Sequence, residues 1–194
     1  CMATKKTAWA PFPAPSKAFQ FNAAGLQKAW KQLHSGDAEP FPDAKRAEQL
    51  IKAAGKSAPK GISAEAMADA LQAAWRAFHA GEFEQAFILG TALGPIGTSV
   101  AAKGLGIHAT YLVKNADDRL ARFEQAAQMA EQAVAALPKE ANSHYRLAFG
   151  YGRYGQGISI AKALSTGLAG KIKTALDACL KLEPKHAEAH LASA

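Results

Sequence analysis

The chain has 194 residues, 49% hydrophobic and 20% charged, with 23 Lys and Arg against 16 Asp and Glu for a formal charge of +7. That length suits one domain with a sizeable core or a short solenoid, and the wealth of Ala, Leu, Gln, Glu and Lys favours helices. No apolar run approaches the roughly twenty residues of a membrane span, and two cysteines at opposite ends, Cys1 and Cys179, make no disulfide framework.

The charge is uneven. Residues 1–60 hold ten basic against four acidic side chains, residues 61–140 six against nine, and residues 141–194 seven against three. The lysines are scattered singly rather than gathered with aromatics on one helix face, so nucleic-acid binding through the basic N-terminal region is only a remote alternative. Met2-Ala3-Thr4-Lys5-Lys6 reads as an ordinary start of translation with Cys1 added before it, which implies a cytoplasmic protein. A native, lipidated Cys1 would instead imply a membrane-surface or periplasmic lipoprotein.

In chain order, residues 1–18 are predicted as an extended arm, because Pro11, Pro13 and Pro15 fix φ at alternate positions and forbid a helix. Helical periodicity then fills four pairs, at about 19–55, 63–94, 98–138 and 141–184, with an incomplete last helix at 185–194. Asp43 and Ser63 are placed to cap helices, Gly36, Gly55 and Gly81 to end them, and 56–61 to serve as a polar linker. The segment from Gln156 to Gly170 interrupts the last pair; its Ile158, Ile160 and Leu164 predict a short helix folded against the array or another subunit.

One stretch occurs twice. Leu26-Gln27-Lys28-Ala29-Trp30-Lys31-Gln32-Leu33-His34-Ser35-Gly36-Asp37 returns 45 positions later as Leu71-Gln72-Ala73-Ala74-Trp75-Arg76-Ala77-Phe78-His79-Ala80-Gly81-Glu82, with six of twelve pairs identical. Self-similarity at a fixed offset marks a repeat protein, an architecture that favours binding over catalysis. Gly81-x-Phe83-x-x-Ala86 resembles the turn of a tetratricopeptide repeat. Phe123, Ala126, Ala130, Ala133 and Pro138 resemble its second helix and closing proline, and Leu147, Ala148, Tyr151 and Gly155 the first helix that follows. The span 119–155 matches close to that family's period of about 34 residues. The Tyr-Gly-rich helix, the insertion and the Lys-Ile-Lys restart at 171–173 are also similar to bacterial relatives of the regulator of microtubule dynamics family.

The resemblance implies an all-α chain of antiparallel helix pairs stacked into a short right-handed superhelix. Its implied function is non-enzymatic recognition of a protein or peptide segment on the concave face formed by the first helices. By the same resemblance Trp30, Leu33, His34, Trp75, Phe78, His79, Tyr145, Phe149 and Arg153 face that groove. The alternative is a ligand-holding helical protein similar to the tetratricopeptide lipoproteins that accompany transporters. No catalytic, cofactor or metal residues are expected. Gly150-x-Gly152-x-x-Gly155 ends a helix where a dinucleotide loop would join a strand to one, and His186 and His190, four apart, lack a third ligand and read as an exposed helix start. The last helix, with nothing to cover it, predicts a sticky end or a homo-oligomer.

Overall fold

A computed structural model describes residues 8–14 and 17–194; Cys1 and the reading attached to it lie outside these. The described residues are all-α, without strands. Ten helices follow in order: α1 (Ala23–Leu33), α2 (Ala44–Ala54), α3 (Ala64–His79), α4 (Phe83–Thr91), α5 (Thr98–Tyr111), α6 (Ala116–Ala136), α7 (Ala141–Gly155), α8 (Ile160–Ser165), α9 (Leu168–Leu182) and α10 (Ala187–Ser193). Their starts are built as the side chains dictate. Asp43 accepts from the Arg46 amide at 2.7 Å, Ser63 from Ala66 at 3.1 Å and Asn115 from Asp118 at 3.0 Å, each satisfying an otherwise orphaned helix N–H.

From α2 to α7 each helix packs on the next, and α7 on α9, while α1 packs on α3. Alternate helices also touch, α3 with α5 and α5 with α7, so these three form a row of their own. Small residues set the spacing. A Cβ on Gly150 would lie 2.7 Å from the Ala127 backbone nitrogen, and one on Gly106 would lie 2.6 Å from the Phe149 ring. Gly150, the first glycine of the sequence that looks like a nucleotide loop, is therefore a helix-packing residue of α7, and Gly106 is a contact point of α5. Buried alanines at 126, 127, 130 and 133 complete the close approach of α6 to its neighbours.

The inserted segment does form a helix, α8, which packs on α9. Ile158 is half-buried beside Leu120 and Leu168, whereas Ile160 and Leu164 are 80% and 74% exposed, so the apolar face of α8 points outward instead of onto the array. At the end of the chain α10 docks on α9 through the fully buried Ala189 and leaves Leu191 exposed. His186 is wholly buried, which corrects the expectation of an exposed helix start: its Nδ1 caps α10 by accepting from the Ala189 amide, and its Nε2–H donates to Asn142 Oδ1 at 3.0 Å.

Candidate functional site

The two copies of the repeated stretch lie against each other. Trp30 and Trp75 meet edge to face at 5.7 Å, and His34 Nε2 lies 3.1 Å from His79 Nε2. From this contact the chain leaves α1 as a loop, Ser35 to Pro42, that runs across the row of α3, α5 and α7. The His34 Nδ1–H donates to Asp37 Oδ1 at 2.8 Å, Lys103 Nζ of α5 donates to Oδ2 at 2.5 Å, and Arg146 of α7 donates to the same oxygen at 2.6 Å. Asn142 donates to the Asp37 carbonyl, Gln72 to the Pro42 carbonyl, and Ser99 to the Glu39 carboxylate. Gly36 accepts from the Glu188 amide of α10 at 2.9 Å, so the loop ties the first helix to the last. Ala38 is held at φ +47°, a conformation disfavoured by roughly 1 kcal/mol for a residue with a Cβ.

Charge decides the protonation states here. Asp37 is fully buried, which by itself would raise its pKa; the His34 hydrogen bond and the charges of Arg146 and Lys103 outweigh burial and hold it far below the usual carboxylate range. Glu39 goes the other way, raised by burial and by the charge of Asp37 beside it. Burial, with the nearby His34 and Lys103, lowers His79 to about 3. A histidine so hard to protonate is a poor general base at neutral pH. Among the described residues no group of three or more His, Cys, Asp or Glu is arranged to hold a metal ion.

A second segment of the chain lies along different helices. Residues Ala8 to Phe12 of the arm run beside α4 and α6, both of which pack on α5. Arg122 of α6 donates to the Ala8 carbonyl at 3.3 Å and to His108 Nδ1 of α5 at 3.2 Å. Because a guanidinium only donates, Nδ1 is the acceptor and the proton of the neutral imidazole sits on Nε2. The Ala10 carbonyl lies 3.2 Å from that Nε2 and accepts from it, with the Ala10 amide nitrogen 3.0 Å away. Burial and the Arg122 charge both lower the His108 pKa and keep it neutral. The Ala8 and Ala10 carbonyls are thus held by neighbouring groups on α6 and α5.

The side chains of the arm are seated as well. The Trp9 ring has the Arg122 guanidinium 4.3 Å from its centroid and meets His108 at 4.6 Å and Phe87 at 5.4 Å. Phe12 lies on Gly81, where a Cβ would come within 2.6 Å of the ring, and meets Phe83 edge-on at 6.0 Å. The corresponding turn glycine of the first copy, Gly36, is covered by Glu188 instead.

The nine residues expected to face a groove divide between core and surface. Trp30, His34, Trp75 and Tyr145 are buried, the tryptophans at 6% and 2% exposure, so these four line no open groove. The reason is that the loop from Ser35 to Pro42 covers Trp30, His34 and Trp75, while α9 and α10 enclose Tyr145. Leu33, Phe78, His79 and Phe149 are half-buried around the same contacts, with Lys103 Nζ 5.5 Å from the Phe78 ring centre. Arg153 alone reaches an open cleft, of about 300 Å³, which it lines with Thr110, Arg119 and Phe123. Sequence reasoning missed Trp9, Phe12, Phe87, His108 and Arg122; the one available signal was a pair of aromatics spaced three apart within a proline-rich arm. The chain matches no protein-family model, no curated protein and no solved structure.

Proposed function

We propose that this is a non-enzymatic binding protein, built as a tetratricopeptide-like stack of helix pairs, that recognises an extended protein segment in the groove beside α4, α5 and α6. The observation that carries the reading is the pair of backbone carbonyls, Ala8 and Ala10, held by Arg122 and the fully buried His108. Backbone contacts of this kind accept any extended chain, while the pockets beside them select side chains. The first-helix face is a poorer candidate, since Asp37 fills it with buried charge that is expensive to uncover. The arm, by contrast, is seated shallowly: Ala8, Ala10, Pro11 and Pro13 are exposed.

Peptide display on the immobilised full chain tests this. Enriched peptides should bind the wild type and lose at least about tenfold in affinity, or about 1.4 kcal/mol, on the Phe87→Ala variant. Peptides that bind both proteins equally, or no enrichment at all, would refute the assignment.

A further inference from the structure

The groove is already filled by the chain itself, and the way it is filled specifies what else would fit. We infer that the arm is a tethered occupant, and that the partner is an extended segment carrying Trp-x-x-Phe, or a close aromatic equivalent, which displaces the arm to bind. The inference rests on the groove reading above and adds to it the partner's chemistry and the competition in cis.

Three observations support it. The Trp9 seat is chemically selective: a guanidinium against the ring face favours an electron-rich aromatic and repels a basic side chain, and Phe87 and His108 complete the enclosure. The Phe12 seat depends on a missing side chain, since Gly81 carries no Cβ at the point where the ring rests and sits at φ +81°, which glycine alone adopts readily. Trp9 and Phe12 are three positions apart, the repeat of a polyproline backbone, and Pro11 and Pro13 stiffen such a backbone so that little conformational entropy is lost on docking. A segment docked by two rings and two backbone carbonyls, with exposed residues between them, is one that a second segment of the same kind can replace.

Tethering sets the expected size of the effect. A segment linked to its own site competes at an effective concentration of roughly millimolar, so releasing it should strengthen binding in trans by about tenfold or more. The test uses the full chain and a fluorescently labelled peptide of residues 8–14, Ala-Trp-Ala-Pro-Phe-Pro-Ala, read by anisotropy. The Trp9→Ala/Phe12→Ala double variant should bind it at least about tenfold more tightly than the wild type. The same peptide with alanine in place of tryptophan should not bind. If the double variant loses helical circular dichroism, Phe12→Ala alone, which removes one half-buried ring, should still give a measurable gain.

Equal binding by wild type and variant overturns the inference, as does equal binding of the alanine peptide. Light scattering that shows wild-type dimers held by exchanged arms also overturns it, because the occupant would then be a second copy. Should display-selected peptides depend on Phe87 while the arm peptide fails to bind, the groove reading survives and the inference about its occupant falls.

Discussion

Neutralising Asp37 tests whether the buried charge cluster holds the two ends of the chain together. In Asp37→Asn the shape is kept, but Lys103 and Arg146 lose the carboxylate oxygen that both of them contact at 2.5 and 2.6 Å. Breaking a buried ion pair by removing one partner costs about 3–5 kcal/mol, because the remaining charge is left uncompensated. Glu39 moderates that loss. Burial and the charge of Asp37 raise its pKa, so removing that charge makes Glu39 easier to ionise beside the same cations, which places the expected loss at the lower end of that range, near 3 kcal/mol. With a urea m-value of about 2 kcal/mol/M, the unfolding midpoint should fall by about 1.5 M. Adding Lys103→Met to Asp37→Asn should recover part of the loss, since one orphaned cation is gone, whereas Lys103→Met alone should destabilise. A midpoint shift under about 0.3 M, or strictly additive losses in the double variant, would refute the account.

Two further outcomes follow from the geometry. His79 has its folded pKa lowered to about 3 from 6.5, so its contribution to stability is fully present above pH 6.5 and is lost as the pH falls from there toward 3. Because the ring is partly exposed, the slope is taken as about 1 kcal/mol per pH unit. Urea unfolding at pH 7 and pH 5 measures this loss together with those of His108 and His186, which burial also lowers, and His79→Gln should make the fall shallower. Asp37, being depressed, adds its own loss only below about pH 4, so a wild-type profile flat between pH 7 and 5 would refute the contribution assigned to the buried histidines. In α7, Gly150→Ala forces a Cβ against the α6 backbone and should cost about 1–3 kcal/mol, or a melting point lower by roughly 2–12 °C. Gly152→Ala, with nothing within 4 Å, should be neutral or slightly stabilising by its better helix propensity; equal effects at the two positions would show that close packing is not the cause.

Local features were legible in the sequence where a single residue determines them. The caps at Asp43 and Ser63 and α6 with its alanine face follow from short-range chemistry. The duplicated stretch showed that Trp30 and Trp75 are equivalent, yet equivalence in sequence carries no information that the two rings touch. Asp37 and Glu82 hold matching positions and differ completely in surroundings: the first is buried against α5 and α7, and the second is exposed. That difference arises from residues 66 and 109 positions away, which no local pattern encodes. His186 misleads for the same reason, as its partner Asn142 lies 44 positions earlier. The groove that holds the arm was hidden because its best-buried members, His108 and Arg122, look like ordinary helix residues until the chain passes over them.

The loop that joins the first helix to the last also sets an order of events during synthesis. Asp37 leaves the ribosome 66 residues ahead of Lys103 and 109 ahead of Arg146. At 5–20 residues per second the second partner arrives roughly 5–20 s later. Through that interval α3, α4 and α5 can assemble, since each packs on its neighbour in sequence. The Gly36–Glu39 loop, however, has no guanidinium to dock on, and α10, which donates to Gly36, is made later still. A nascent chain halted before Arg146 therefore presents an open loop and an unfinished row of helices, the kind of surface that chaperones and proteases read. One halted after α7 has both cations for Asp37 in place and lacks only the α10 contact to Gly36.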